Sequence, residues 1–320
     1  MTALFVGIDV SKDRLDAACL PVESSFQVLN TPAGHRQLLK NLHKIVPNAE
    51  EIRVVLESTG GLELPVAIAL EEAGVQLVVI KPERARYYAK AQGKLAKTDA
   101  LDAKLLAEFA RDVKVPITRL PPEDLRQFRE LLDRREQLTE MRTMESNRLG
   151  STTLKQARKS LEKHIAWIDA ELKSISKELD QRIAANPQWA EIDRILQSIP
   201  GVGEQTSRVL IGCLPELGRV SRQTIGSLVG VAPIANDSGK NEGLRHIIGG
   251  RKKVRNILYM AALSASAHNP IAKLLYRRLR ERGRSAKAAL IAVAHKLLTI
   301  ANAMVANKTL WRHSNAALYH

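Results

Sequence analysis

Aromatic side chains are scarce in this chain, with four Phe, five Tyr and three Trp among 320 residues. Stacking of bases on aromatic platforms therefore cannot supply much of any binding energy. Cysteine is scarcer still. Cys19 and Cys213 stand far apart with no ligand-like spacing around either, which argues against both a disulfide framework and a zinc site. No signal-peptide pattern opens the chain. The most apolar stretch, residues 286–305, is interrupted by Lys287, His295 and Lys296; it reads as a core helix, and no membrane partner is expected. Negative charge is the deepest deficit: 34 Asp and Glu against 49 Lys and Arg leave a net charge of +15. That excess implies an anionic partner. Nucleic acid, held mainly through its phosphates, is the expected one.

Against this basic background a few acids stand out by position. Asp9 lies inside the apolar run Leu4-Phe5-Val6-Gly7-Ile8-Asp9-Val10, and Glu57 ends the run Ile52-Arg53-Val54-Val55-Leu56-Glu57. Asp99 and Asp102 open a helical pattern that continues through Leu105 and Leu106. A carboxylate on an apolar strand is costly unless it is paired or binds a cation. Carboxylates are hard oxygen ligands suited to Mg²⁺ or Mn²⁺, and Mg²⁺ assists phosphodiester chemistry. Blander readings exist: Asp99 and Asp102 could simply complement a helix dipole, and Glu57 could be a loop-edge carboxylate. The four together favour a metal site.

The spacing of apolar runs and turn residues predicts strands at 3–10, 14–20, 26–30, 53–57 and 76–80, with helices at 34–46 and 62–73 and two more before about residue 115. The order βββαβαβα is that of an α/β ribonuclease H-like (RuvC-like) fold, and it brings the acids towards one sheet edge. Pro116, Pro121 and Pro122 mark a linker. Residues 123–186 read as long charged helices. Leu154, Leu161, Ile165, Ile168, Leu172, Ile175 and Leu179 form a coiled-coil seam, which serves either as an oligomerisation arm or as an intramolecular hairpin. The expected division is therefore 1–115, a carboxylate domain; 123–186, an arm; and 190–320, a mainly α C-terminal domain.

Within that last domain, Ile199-Pro200-Gly201-Val202-Gly203 reads as the turn of a helix-hairpin-helix element. Its backbone N–H groups, at Gly201 and Gly203, could hold a DNA phosphate or merely punctuate two helices. Ser238 falls in a stretch of Asn, Asp and Gly that predicts a loop. Lys240, Arg245, Arg251, Lys252, Lys253 and Arg255 follow it and are candidate nucleic-acid contacts. A serine hydroxyl needs a base or cationic surroundings to act as a nucleophile; most Ser-Gly pairs are only turns.

Taken together, Val6-Gly7-Ile8-Asp9-Val10-Ser11-Lys12, Leu56-Glu57-Ser58-Thr59-Gly60-Gly61, Lys97-Thr98-Asp99-Ala100-Leu101-Asp102-Ala103, the Pro200 turn, and the Pro233 to Gly239 stretch leading into Gly249-Gly250-Arg251-Lys252-Lys253-Val254-Arg255 resemble the IS110 family of insertion-sequence transposases over nearly the whole chain. The resemblance implies a RuvC-like domain whose DEDD set matches Asp9, Glu57, Asp99 and Asp102, a coiled-coil arm, and a C-terminal transposase domain whose catalytic serine matches Ser238. It implies a 5′-phosphoserine-type covalent intermediate with double-stranded donor and target DNA. It also implies a structured noncoding bridge RNA, a homo-oligomer (dimer or tetramer) whose composite site draws Mg²⁺ from the carboxylate domain across subunits, and a bacterial, nucleoid-associated cytoplasmic location. The alternative in the same class is a RuvC-like metal-dependent endonuclease or junction resolvase that uses water. An actin-like or sugar-kinase-like ATPase would want a glycine-rich phosphate turn after Asp9, where Val10-Ser11-Lys12-Asp13 stands instead. A non-catalytic DNA-binding protein would have no use for four convergent acids.

Overall fold

A computed structural model describes residues 3–93, 99–233, 247 and 249–312, with only the backbone of Asp99, Ala100 and Leu101. It divides into two compact units, Met1–Pro122 and Glu123–His320. The Ser238 stretch, with Lys240 and Arg245, lies outside the described residues.

The first unit is built on a five-stranded sheet in the order β3-β2-β1-β4-β5, from β1 (Leu4–Val10), β2 (Arg14–Leu20), β3 (Ser24–Leu29), β4 (Ile52–Glu57) and β5 (Gln76–Ile80). The β1–β2 and β2–β3 pairs are antiparallel, and the β1–β4 and β4–β5 pairs are parallel. Four helices complete it: α1 (Pro32–Ile45), α2 (Leu64–Glu72), α3 (Pro82–Ala91) and α4 (Asp99–Asp112). Three elements start two residues away from where the sequence reading places them, each for a local reason. β3 starts at Ser24 because the ladder with β2 runs on to Cys19↔Ser24. α1 starts at Pro32 because the Thr31 hydroxyl accepts from the Gly34 N–H at 3.2 Å, and proline suits the first helical position. α2 starts at Leu64, since residues 58–63 form a turn of their own.

Alternation along β1 decides what lies on each side of the sheet. Leu4, Val6, Ile8 and Val10 point into one core with Leu38 and Leu42 of α1 and Val66 and Leu70 of α2. Phe5, Gly7 and Asp9 point to the opposite face, which α4 covers. A Cβ at Gly7 would lie 2.1 Å from the Ala103 carbonyl oxygen and 2.3 Å from the Ala107 nitrogen. Glycine on the strand and alanines on the helix thus let the two backbones come together. On this face Val55, Val78 and Ile80 pack with Leu106, Phe109 and Ala110. Beyond the end of α4, the Arg53 guanidinium donates to the Val115 carbonyl, and Arg53 pairs with Phe5 near the start of the parallel strands. Helix α4 therefore runs against β1 and β4. Its first turn lies over their carboxyl ends.

The second unit is helical: α5 (Glu123–Ser151), α6 (Lys155–Ala185), α7 (Pro187–Gln197), α8 (Glu204–Cys213), α9 (Arg222–Val229), α10 (Lys252–His268), α11 (Pro270–Glu281) and α12 (Ala286–Ala306). Helices α5 and α6 form an antiparallel hairpin, pinned by Arg142 to Asp169 and by Arg182 to Gln127. At its base, Phe128, Leu132, Leu179 and Ile183 enter the same core as Leu210, Leu258 and Leu297. Ile168 and Leu179 are buried in the seam, and Leu161, Ile165, Leu172 and Ile175 are half-buried. Leu154 is not part of it: it caps α6 in an extended conformation and is 66% exposed. Helix α12 is long and apolar enough to cross a membrane, yet more than half of that stretch is buried within the unit.

Replacing Gly7 by Val should disrupt the first unit, because the side chain would meet backbone atoms that cannot move without lifting α4. Overpacking of this kind costs about 1–3 kcal/mol or more. A fall in the urea midpoint is expected, with the second unit's helical signal unchanged. A Gly7→Val chain as stable as the parent would refute the contact.

Candidate active site

The ladder between β1 and β4 pairs Gly7 with Val55 and Ile8 with Leu56; Asp9 and Glu57 are the next residues on each strand. Register partners of parallel strands share a face, so both carboxylates are on the α4 side, at the strand ends that its first turn covers. Asp102 is four residues before Leu106 and so stands on the stripe of α4 that packs on the sheet. Asp9, Glu57 and Asp102 are half-buried and each makes interactions. For Asp99 the backbone alone is described. Among the described residues no group of three or more Asp, Glu, His or Cys could hold a metal ion, so Asp9, Glu57 and Asp102 do not form such a group. The arrangement brings hard oxygen donors from two strands and one helix to one end of one face, and that donor chemistry fits a divalent cation.

The loops around this edge are tied together by polar groups that no motif advertised. After Glu57, Gly60 and Gly61 adopt left-handed φ of 72° and 106°, and the Glu63 carboxylate gathers the turn, accepting from the Thr59 N–H at 3.0 Å, the Thr59 hydroxyl at 3.1 Å and the Gly61 N–H at 2.9 Å. Across the edge, the Asn30 amide donates to the Ser11 carbonyl at 2.9 Å and to the Leu62 carbonyl at 3.3 Å. This links the turn after Asp9 to the turn after Glu57. Because both amide protons are used, Asn30 Oδ1 is the acceptor of the 2.9 Å bond from His35 Nε2. Burial pushes the His35 pKa down from its ordinary value, so the ring stays neutral. A fifth acid also went unremarked in the sequence: Asp16, on β2 directly across from Asp9. Adjacent carboxylates repel, and here Asp16 is engaged by Gln27 Nε2 of β3 at 2.7 Å and by Arg14 Nε of its own strand at 3.3 Å. Beside it a cleft of about 420 Å³ opens between Asp16, Ala18, Phe26, Gln27, Ala103 and Lys104. Farther along α4, Tyr88 donates to Asp112 at 2.7 Å, and burial followed by this bond raises its pKa to about 12.

In the second unit the candidate contacts separate. Gly201 has φ 95°, and a Cβ there would lie 2.6 Å from the Cα of Ala265; this glycine is required by the packing of the turn on α10. Gly203 is open to solvent and caps α8, but Glu204 already supplies a negative charge in the first turn. Arg251 grips Glu216 through two 2.6 Å bonds and donates to the Cys213 carbonyl at 3.0 Å. Lys253 pairs with Asp133 at 2.6 Å and Glu136 at 2.9 Å. These two cations are engaged in holding α10 to α5 and to the segment after α8. Arg255 donates to the Gly249 carbonyl at 2.5 Å, and Lys252 is exposed.

Comparison with known proteins gives two matches to family models. Residues 6–158 match the model for the DEDD transposase of IS110, and residues 193–277 match that for the transposase IS116/IS110/IS902 family. Among curated proteins, the pilin gene-inverting protein of Moraxella bovis is 25% identical over 312 residues, covering 95% of this chain and 96% of the relative. That of Moraxella lacunata matches to the same extent. An IS110 protein of 43.6 kDa from Streptomyces coelicolor is 23% identical over 164 residues, 51% of this chain and 40% of that protein.

The neutral His35 predicts a pH dependence of stability. Its folded pKa lies below that of the unfolded chain, so the unfolded state binds the extra proton first. The contribution is present above about pH 6.5 and declines as pH falls through that value towards the folded pKa. Melting temperature followed from pH 7.5 to 5 should drop more steeply for the parent than for His35→Gln. Parallel curves would show that His35 does not titrate with folding.

Proposed function

The chain belongs to the IS110 family of transposases and is a DNA recombinase; on that premise we propose that Asp9, Glu57, Asp99 and Asp102 bind a divalent cation and that Ser238 is the nucleophile. The observation that supports the first half is the shared position of Asp9, Glu57 and the first turn of α4 at one end of one sheet face. The strand order and the helix crossing between parallel strands favour a ribonuclease H-like carboxylate domain over residues 1–115. The arm would be 123–186, and the serine-bearing domain, with its helix-hairpin-helix element, 190–320. Metal dependence accords with a DEDD domain, and Mg²⁺ is the ion we assign, as a hard cation matched to carboxylate oxygens.

Bound there, the cation would stabilise charge on the attacking and leaving oxygens of a phosphoryl transfer. The chain's own residues do the rest. The Ser238 oxygen attacks a DNA phosphorus and gives up its proton, a phosphorus–oxygen bond to the adjoining sugar breaks, and the released sugar oxygen takes up a proton. One phosphodiester is exchanged for another, so rejoining needs no ATP. Lys240 and Arg245, next to Ser238 in the chain, together with Lys252 and Arg255, are proposed to neutralise the phosphates. A gene inversion, for which the Moraxella relatives are named, ends with strands rejoined, which favours this reading over an endonuclease that uses water. A bridge RNA pairing with donor and target DNA, and a dimer or tetramer that completes the site across subunits, are further parts of the proposal and rest on the family resemblance.

Asp9→Asn and Glu57→Gln should each abolish strand cleavage in Mg²⁺ while leaving folding and DNA binding largely intact; parental rates from either would remove the carboxylates from the chemistry. Ser238→Ala should assemble on DNA but neither cut nor exchange strands. On a nicked or suicide substrate, denaturing gels of the parent protein should show a protein-linked DNA band whose peptide maps to Ser238. Cleavage by Ser238→Ala would return the reaction to hydrolysis, and an adduct at Tyr259 or Tyr276 would indicate a tyrosine mechanism.

A further inference from the structure

Helices α9, α11 and α12 carry cations that no acid neutralises among the described residues. Gly226 of α9 sits so close to α12 that a Cβ there would lie 2.9 Å from His295 Nε2 and 3.3 Å from the Ala232 Cβ. The imidazole is therefore inserted against the α9 backbone, beside the chain that leads into the Ser238 stretch. Arg222 is one turn before Gly226 and on the same side of α9. Lys296 follows His295 on α12, half-buried, and α11, carrying Arg278, packs on α12. The side chains of Arg222, Arg278, His295 and Lys296 make no hydrogen bond or ion pair among the described residues. Burial, then Arg222 and Arg278, push the Lys296 pKa down, and burial followed by Arg222 does the same to His295. Over their whole length α9, α10, α11 and α12 carry one acid, Glu281, against ten lysines and arginines, and among the described residues no carboxylate pairs with these four side chains.

Arg251 and Lys253, also half-buried, are by contrast paired, with Glu216 and with Asp133 and Glu136 respectively. His295 and Lys296 are half-buried while Arg222 and Arg278 are exposed, and like charges gathered around a half-buried lysine raise the energy of the free protein. A fold keeps such a cluster where an anion completes it. We infer that Arg222, Arg278, His295 and Lys296 form a docking site for a backbone phosphate of the DNA substrate. DNA is the source assigned because the chain is a DNA recombinase. The inference rests on that activity and not on the role of Ser238, so failure of the serine mechanism leaves it standing.

The test measures binding of the full chain to duplex DNA across a KCl series, beside the melting temperature of the free protein. Arg222→Gln and Lys296→Gln should each reduce the salt slope by about one unit. The affinity lost between 50 and 200 mM salt would then be about threefold less than for the parent. Melting temperature should hold or rise, because a repelling charge has gone, and Lys296→Arg should bind as the parent does. Should Lys296→Gln fail to fold, Arg222→Gln at its exposed position reads the same site. Parental slope and affinity in Arg222→Gln would overturn the inference. So would an effect confined to single-stranded RNA, since the phosphate would then belong to RNA and not to DNA.

Discussion

The close approach of α4 to β1 at Gly7 is the constraint on which the candidate site depends. Because no side chain intervenes, α4 lies against β1 at backbone distance, and the register of Ala103 and Ala107 on Gly7 fixes where the helix begins. Were α4 lifted or shifted by one turn, about 5.4 Å along its axis, Asp102 would no longer stand over the strand ends that carry Asp9 and Glu57. The apolar contacts of Leu106, Phe109 and Ala110 with Val55, Val78 and Ile80 stabilise this seating. The glycine determines its depth. Packing and chemistry are thus coupled through one position that has no side chain.

A second layer of order comes from neutral and acidic groups placed behind the carboxylates. Asn30 ties the turn after Asp9 to the turn after Glu57, His35 orients Asn30, and Glu63 closes the glycine turn. Such bonds contribute about 1 kcal/mol each to stability, which is modest. Their greater effect is positional, because they prevent the two acid-bearing ends from fraying independently.

The cations of the second unit divide between fold and surface. Arg208, 2% exposed, holds α6 and α8 together through Asp180 at 2.5 Å and also pairs with Glu204 of its own helix at 3.1 Å. Arg251 and Lys253 fasten α10 in the same way. A buried pair of this kind adds little net stability over an apolar contact, but losing one partner strands a charge. These residues are therefore poor candidates for releasing their partners to bind DNA. The cations of α9, α11 and α12 that have no acid partner among the described residues are the ones whose energy would fall if a phosphate bound beside them.

The sequence by itself determined the strands and helices and the basic character of the chain, and it singled out Asp9, Glu57, Asp99 and Asp102 as candidates, because these follow from local periodicity, composition and the cost of charge on an apolar strand. It also carried the family, since the motifs around Asp9, Glu57 and Asp102 are short and contiguous. It was silent on Asp16, Asn30, His35 and Glu63, whose meaning lies in bonds that only the folded ladder and turns create. Nor did it separate Arg251 and Lys253 from Lys252, or single out Arg222, His295 and Lys296. A run of basic residues looks uniform along the chain. Which of them meets Glu216, Asp133 or another cation depends on helices brought together from 35 to 120 positions away, and tertiary packing alone decides that.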